Sequence, residues 1–506
     1  MTQRLSDCRR GLATGIVAFL LISLGTRVEW RSLLNNDVGW LVYVAERVLA
    51  GETLYRDIIE INPPLIVWLN LPIAWLARTA HLPKLVVLRV AVLLVMLGSA
   101  TLIAVLARHT RTVSPRGTFL LALLVLVTFP FAYFGQREHL ILAFILPWFF
   151  VTMCRMEGEK PPTWAPPVSG VLLGMALSLK PHYAFAWVLP LAYMAWVQRS
   201  VRILRTSEQR ASAAILAGYA ALVLLITPEY LQLVRRMGGA YLNWLPATVS
   251  TMLFGNPGGI AGVGILMVYA LARTGRSVTD VLGLGSAGFL IGVLLQGRGS
   301  DYHYYPAVAS GLLLLGLCAS RSPQARRVAG VGFGVLAGTL FFIALVKAFG
   351  PEDKEMRAYR EFRNAIGPVD TTTSVLSLAP RNGFPFELVN HAQVKWALRY
   401  PSCVVPALVY SRELDATTPL VYHAPGDRSP LEQWFVTTVL DDAERIQPTI
   451  LLIQSPSNSV GARDLRIDFA SYFSVEPRFR ALLTNYRYIG QAAGFRIYRR
   501  VIRSDR

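Results

Sequence analysis

Apolar runs of membrane-spanning length recur along the first two thirds of the chain, separated by short polar segments. An α-helix needs roughly 20 apolar residues to cross the hydrocarbon core of a bilayer. The candidate spans lie at 11–26, 85–107, 117–135, 138–155, 166–180, 181–198, 211–227, 257–273, 278–296, 302–320 and 327–348. A further apolar piece, 63–79, starts at Asn62-Pro63-Pro64 and is typical of a short or re-entrant helix. The pattern predicts a polytopic α-helical membrane protein with about 11–13 transmembrane helices.

The pattern changes from residue 350 onward, where charges become frequent and apolar runs become short. The elements predicted there are buried strands at 373–379 and 449–454, helices at 441–446 and 469–483, and a hairpin formed by 486–490 and 494–498. The chain is therefore expected to divide into a transmembrane module at 1–349 and a small α/β domain at 350–506.

Composition and charge agree with a membrane protein. Of the 506 residues, 53% are hydrophobic and 16% are charged, whereas a soluble protein carries roughly 25% charged residues. Much of the net charge of +19 lies in short loops, and Lys and Arg concentrate in cytoplasmic loops of membrane proteins. The basic loops are 108–116, 199–210, 273–276 and 321–327. The basicity therefore predicts which loops are cytoplasmic and gives no reason to expect a nucleic-acid partner.

This orientation places several polar segments on the outer face. The predicted outer segments are 27–62, 135–139, 228–256, 298–305 and everything after 349. The C-terminal domain is accordingly expected to be extracytoplasmic. The four cysteines are scattered and form no CxxC pair that would indicate zinc.

Asp37 lies in the external loop 27–62, a short distance outside the first span. Apolar positions between Val38 and Ala50 follow it at helical spacing, and Gly51 is a typical helix stop. The stretch predicts a juxtamembrane helix. Asp37 has two interpretations, a helix N-cap or a catalytic carboxylate, and the two roles can coexist.

Ionisable residues also lie at two outer junctions between apolar spans. Arg137, Glu138 and His139 follow Gly135, and charges at membrane depth normally face a cavity or one another. A simple polar turn with Arg137 paired to Glu138 is the alternative. Lys180 lies in a second junction, where its ammonium can bind a lipid phosphate or extend to the interface. Both interpretations stay open.

The last outer motif is Arg298-Gly-Ser-Asp-Tyr-His303-Tyr304-Tyr305-Pro306. Tyrosines crowd membrane interfaces for amphipathic reasons alone. Arg298 and His303 beside them can complete a phosphate site. The signal is the combination of four polar, partly charged segments on one side of the membrane.

Together these segments resemble the GT-C superfamily of lipid-phosphate-dependent glycosyltransferases, especially the protein O-mannosyltransferase and lipid A aminoarabinose transferase branch. That family has an acidic residue in the first external loop, a juxtamembrane helix and a Glu-x-Pro-type segment, which Asp37 and Glu60-Ile-Asn-Pro-Pro64 match. Glu138 occupies the place of a second acidic residue, often Asp in relatives, and Lys180 that of a phosphate-binding Lys. Arg298 to Pro306 resembles a late basic and Tyr-Pro motif. Asn62 departs from the Lys of the aminoarabinose branch.

The resemblance implies sugar transfer from a polyprenyl-phosphate donor to an envelope acceptor (lipid, polysaccharide or protein), with inversion at the anomeric carbon. Asp37 is then the general base, and Glu138 orients the acceptor or shares that role. Lys180, with Arg137 or Arg298, stabilises the donor phosphate. The remaining substrate-binding candidates are Glu60, His139, His303 and Tyr304. Some relatives place a divalent metal between the acidic residues, and the spacing here neither requires nor excludes one.

Two other functions compete with glycosyl transfer. A transporter or flippase for a lipid-linked sugar also needs polar residues in a membrane cavity. Transporters often show internal repeats, and none is visible in this sequence. A non-enzymatic assembly protein of the envelope is the third function, and it leaves Asp37, Glu138 and Lys180 unexplained.

Overall fold

The computed structural model describes residues 2–242, 246–273, 277–319, 323–410, 420–455 and 467–501, without the side chains of 2–8, 241–242 and 324–326. The α-helices within these residues are α1 Thr2–Arg31, α2 Asn36–Leu49, α3 Leu65–Thr79, α4 Lys84–Ala107, α5 Pro115–Leu123, α6 Arg137–Met156, α7 Ala165–Leu179, α8 Phe185–Val197, α9 Ser207–Ile226, α10 Glu229–Leu242, α11 Val249–Phe254, α12 Pro257–Ala272, α13 Asp280–Gln296, α14 Tyr305–Cys318, α15 Pro323–Phe349, α16 Lys354–Ile366, α17 Gly383–Ala392, α18 Val405–Tyr410, α19 Pro430–Ile446, α20 Phe469–Ser474 and α21 Pro477–Leu483. The strands are β1 Ser374–Leu378, β2 Lys395–Trp396, β3 Ile450–Gln454, β4 Tyr486–Ala492 and β5 Phe495–Arg500.

The predicted fold class is confirmed: the chain is mostly helical, with many apolar helices and a small C-terminal sheet. Helices α1, α4, α6 and α9 and the helical stretch that starts at Arg327 are long and apolar enough to cross a membrane. Shorter apolar helices, among them α7, α12 and α13, accompany them. Of the basic residues assigned to inner loops, Arg276 and Arg321 lie outside the described residues.

The structure defines the helical part of the span 117–135 and the length of the apolar piece 63–79. The span 117–135 ends as a helix at residue 128, because α5 continues only into a π-helical turn, Leu124–Thr128, before Pro130. The apolar piece 63–79 forms α3, which has 15 residues and a length of about 22 Å. That length is less than the roughly 30 Å of hydrocarbon in a bilayer, so a re-entrant position for α3 stays a prediction that its length supports.

The described residues form two compact units. Unit 1 contains residues 1–35, 86–224 and 247–353, and unit 2 contains residues 36–85, 225–246 and 354–506. A single boundary after residue 349 stays a prediction, and the contacts group residues 36–85 and 225–246 with the C-terminal residues.

The central element of unit 1 is α6, whose residues from Arg137 to Cys154 are all buried. A helix that is apolar all round belongs in the interior. A glycine of α13 allows close packing against it: a Cβ on Gly285 would lie 2.4 Å from the Phe149 ring of α6. Tight packing therefore encloses the helix that begins with Arg137, Glu138 and His139.

Unit 2 contains a five-stranded sheet with the order β2-β1-β3-β5-β4. Strand β1 runs parallel to β2 and β3, and β5 runs antiparallel to β3 and β4. The central strands β1 and β3 are apolar and almost entirely buried, as expected of short apolar runs covered on both faces. The predicted strands and hairpin of the C-terminal region are thus present.

Candidate active site

The turn before α6 fixes the position of Glu138. Gly135 has a φ of +74°, which glycine adopts at no steric cost. Its N–H donates to His139 Nδ1 at 3.1 Å, and the other ring nitrogen, Nε2, lies 2.8 Å from the Leu126 carbonyl oxygen. These partners assign the neutral tautomer with the proton on Nε2. Because both ring nitrogens of His139 are engaged, its geometry is that of a positioning residue, and its contact with substrate stays a prediction.

Glu138 and Lys180 form a buried ion pair. The Glu138 side chain has no exposed surface and the Lys180 side chain is 5% exposed. Lys180 ends α7 with an extended backbone, and its ammonium donates to Glu138 Oε1. A lysine that extended to the membrane interface would not be enclosed in this way, so the snorkelling interpretation does not fit. The alternative pairing of Arg137 with Glu138 is replaced by the pair with Lys180.

His303 lies beside this pair. Its Nε2 is 3.9 Å from Glu138 Oε1, beyond hydrogen-bond distance. The Tyr183 hydroxyl donates to its backbone carbonyl at 2.9 Å. Lys180, Arg137 and Arg298 all act on the His303 ring electrostatically. The structure therefore brings together five of the predicted site residues, which we call the basic cluster: Arg137, Glu138, Lys180, Arg298 and His303.

Several buried polar atoms around the basic cluster have no hydrogen-bond partner within the described chain. They are Glu138 Oε2, Gln136 Nε2 and both ring nitrogens of His303. A buried polar atom without a partner costs about 1–3 kcal/mol, so a concentration of them is typical of a ligand site. The basic cluster contains three cations and one carboxylate, which favours an anionic ligand.

Two aromatic residues of the same loop have different positions. The Tyr304 hydroxyl donates to the Met252 carbonyl at 2.8 Å, and a Cβ on Gly258 would lie 2.6 Å from the Tyr304 side chain. Tyr304 thus anchors the loop, and its predicted contact with substrate stays a prediction. Tyr302 was not singled out from the sequence, yet its ring lies 5.3 Å from the Lys180 ammonium. Its position next to His303 was the available signal.

Asp37 lies in unit 2, exposed in the first turn of α2. The helix begins at Asn36, so the N-cap position is Asn35 and the N-cap interpretation of Asp37 is wrong by two positions. A carboxylate in the first turn is still favoured by the helix dipole, by about 0.3–1 kcal/mol. The side chain is on the surface of unit 2 and is accessible to solvent.

Glu60, also in unit 2, is almost fully buried and fully engaged. Its Oε2 accepts the Trp40 indole N–H at 2.5 Å, and its Oε1 accepts the Asn62 backbone and side-chain N–H groups at 2.7 and 2.6 Å. Trp40 lies one helical turn after Asp37. Glu60 therefore ties the segment 60–62 to α2, and a direct contact with substrate stays a prediction.

The described ranges contain no group of three or more His, Cys, Asp or Glu side chains placed to hold a metal ion.

No protein-family model and no curated protein matches the sequence. Solved structures are similar to this chain. The crystal structure of ArnT from Cupriavidus metallidurans bound to undecaprenyl phosphate superposes with a TM-score of 0.58 at 12% identity, over 97% of this chain and 98% of that one. The arabinofuranosyltransferase AftD from Mycobacteria gives a TM-score of 0.46 at 14% identity and is covered over 40% of its length. The match to ArnT, over almost the whole of both chains, shows that this chain has the ArnT fold.

Proposed function

We propose that this protein is a membrane glycosyltransferase that moves a sugar from a polyprenyl-phosphate donor to an envelope acceptor at the outer face of the inner membrane. The observation that carries the proposal is the basic cluster of unit 1, which is buried except for the partly exposed Arg298. It combines an enclosed Lys180–Glu138 pair with Arg137, Arg298 and His303, in a fold whose ArnT example was solved with undecaprenyl phosphate bound. The acceptor is a lipid, a polysaccharide or a protein.

The basic cluster suits the leaving group of this reaction. As the bond between the anomeric carbon and the phosphate oxygen breaks, its electron pair passes to the phosphate, which gains negative charge. Fixed cations aimed at developing charge are often the largest single contribution to catalysis. Lys180 supplies a compact charge and the arginines supply planar donors. Glu138 holds Lys180 in place and offsets the cost of burying its charge.

Asp37 completes the mechanism as general base. The acceptor oxygen attacks the anomeric carbon on the face opposite the phosphate, and its proton passes to the Asp37 carboxylate. A single displacement of this kind inverts the configuration at that carbon. A positioned general base contributes about 10²- to 10⁴-fold to the rate. An exposed carboxylate in the first turn of α2 is open to acceptors of very different size.

The test is sugar transfer by the purified protein in lipid vesicles, with a radiolabelled pool of polyprenyl-phosphate sugars as donor and native envelope extract as acceptor. We expect transfer by wild type, loss of about 10²- to 10⁴-fold in Asp37→Asn, and weaker donor binding in Lys180→Met. Asp427→Asn is the matched control, because Asp427 is an exposed carboxylate of the C-terminal region outside the site.

The outcomes separate the competing functions. Equal transfer by wild type and Asp37→Asn would remove Asp37 as the base and leave Glu138 as the next carboxylate to test. Movement of the lipid-linked sugar across the vesicle membrane without transfer would favour the flippase function instead.

A further inference from the structure

The helix that carries Asp37 packs against the C-terminal residues within unit 2. The Phe386 ring of α17 contacts Trp40 and Tyr43 of α2 edge-on, at centroid distances of 5.6 and 5.9 Å. The Trp396 backbone N–H donates to the Tyr43 hydroxyl at 3.0 Å. One face of α2 is therefore covered by side chains and backbone of the C-terminal domain.

The closest approach is at the first turn of α2, on either side of Asp37. A Cβ on Gly39 would lie 2.6 Å from both Nδ2 and Oδ1 of Asn390. Asn390 is 5% exposed, and its Nδ2 donates to Glu387 Oε2 at 3.3 Å. The Asn36 side-chain amide donates to the Gly383 carbonyl at 3.1 Å. Two residues within two positions of Asp37 thus contact α17 directly.

The far end of α2 is held as well. The Arg47 guanidinium, which also pairs with Glu52, donates to the Leu398 carbonyl at 3.1 Å. The Ile59 backbone N–H donates to the Arg399 carbonyl at 2.8 Å. The helix and the segment that follows it are consequently fixed to the C-terminal domain at both ends.

We infer that the C-terminal domain positions the proposed base: α17 sets the first turn of α2, with the Asn390 side chain seated against Gly39 as the contact that determines where Asp37 lies. The inference rests on the proposed function, because it gives meaning to the position of Asp37 only if Asp37 takes a proton. A general base must lie within hydrogen-bond reach of the proton it removes, and a displacement of about 1 Å can cost about 10²-fold in rate.

The test is a double-substitution cycle on this contact, measured as donor-dependent transfer. Gly39→Ala adds a methyl group where Asn390 lies, so the Asn390 amide must leave Glu387 or α17 must move away from α2. We expect kcat to fall about 10- to 100-fold with the donor KM unchanged, because the basic cluster belongs to unit 1. Asn390→Ala lowers kcat by itself but raises it when added to Gly39→Ala, since it removes the clash.

Matched controls come from helical glycines with open space around the added methyl group. A Cβ on Gly98 of α4 or Gly264 of α12 meets no atom within 4 Å. We expect wild-type kcat from Gly98→Ala and Gly264→Ala. A fall in kcat for these variants equal to that of Gly39→Ala would show a general effect of alanine in helices and would overturn the inference.

A second cycle compares wild type, Gly39→Ala, Asn390→Ala and the double variant by their apparent melting temperatures at one heating rate. This measurement does not depend on sugar transfer. We expect Gly39→Ala to lower it by about 1–4 °C and Asn390→Ala to restore part of that loss in the double variant. Additive changes in melting temperature or in kcat would overturn the inference. A third outcome is coupling between the two substitutions in melting temperature while the wild-type protein transfers no sugar. That outcome would overturn the proposed function, and with it the catalytic meaning of the contact.

Discussion

The Glu138–Lys180 pair illustrates how a single buried charge needs its partner. Both side chains are removed from water, and the desolvation of each ion costs several kcal/mol, which their mutual attraction only partly offsets. Replacing such a pair by apolar groups is often neutral or stabilising, whereas removing one partner leaves a buried charge uncompensated. Stability alone therefore does not account for the Glu138–Lys180 pair. A phosphate site beside the pair does account for it.

The first prediction separates the structural role of the pair from its chemical role. Glu138→Gln should destabilise the protein by about 3–5 kcal/mol, because Lys180 stays buried without a counterion. Adding Lys180→Met should restore most of that stability without restoring sugar transfer. Denaturation in detergent measures the first effect and the transfer assay measures the second.

Its control is an ion pair at the surface. Lys347 and Asp353 lie 3.1 Å apart with about a third of each side chain exposed, so Asp353→Asn should cost less than about 1 kcal/mol. Wild-type stability in Glu138→Gln would show that the ammonium finds other partners and that the pair is dispensable for the fold.

The second prediction concerns Cys403, which is fully buried in the C-terminal domain. Burial raises the pKa of its thiol to about 12, and the thiolate is the form that reacts with maleimides. Cys403 should therefore escape N-ethylmaleimide at pH 8 in the folded protein and react after unfolding in detergent, as measured by peptide mass spectrometry. A cysteine placed at the exposed Asp427 is the reactive control. Full labelling of Cys403 in the folded protein would contradict the burial.

At the scale of elements, hydrophobic periodicity predicted the long helices and the central strands because their patterns are local. The span 138–155 and the strand 449–454 lie within two residues of α6 and β3. The packing of α17 against α2 was out of reach, because it joins residues about 350 positions apart through the close approach of Asn390 to Gly39. The ion pair of Glu138 with Lys180 was missed for the same reason: the sequence placed both residues on one side of the membrane but could not pair them.

The third prediction tests an element contact, the network of Asp442 on α19. The fully buried Asp442 carboxylate accepts from Arg399 at 2.8 Å and from Arg445 at 3.0 Å, and the Arg399 carbonyl accepts the Ile59 N–H. Asp442→Asn should destabilise unit 2 by less than about 3 kcal/mol. The cost is lower than that of breaking a fully buried ion pair, because the Arg399 side chain is partly exposed and its charge stays partly hydrated. The substitution should also speed tryptic cleavage after the exposed Arg56.

The neighbouring Asp441 provides the control for that prediction. Its side chain is 47% exposed and pairs with Arg478 at the surface, so Asp441→Asn should leave the cleavage rate after Arg56 close to that of wild type. Equal cleavage rates in Asp442→Asn and wild type would show that the Asp442 network does not hold the segment that contains Arg56 and Ile59.

At the scale of the whole molecule, the orientation in the membrane depends on whether α3 crosses. With a cytoplasmic N-terminus, the eleven spans other than α3 place every basic loop inside and the C-terminal domain outside. A full crossing by α3 would reverse every later segment and carry the arginines of 199–210 across the membrane, which the positive-inside rule disfavours. The 15-residue length of α3 argues against that crossing.

The fourth prediction measures this orientation directly. Arg202 and Asp427 are both exposed, while three of the native cysteines, Cys154, Cys318 and Cys403, are buried. A membrane-impermeant maleimide applied to intact spheroplasts should label Asp427→Cys more than wild type. It should label Arg202→Cys no more than wild type. Permeabilised cells should show label on both variants, which confirms that each cysteine is reactive. The reverse pattern in intact spheroplasts would mean that α3 crosses the membrane and that the basic cluster and the C-terminal domain face the cytoplasm, where a donor presented on the outer leaflet cannot reach them.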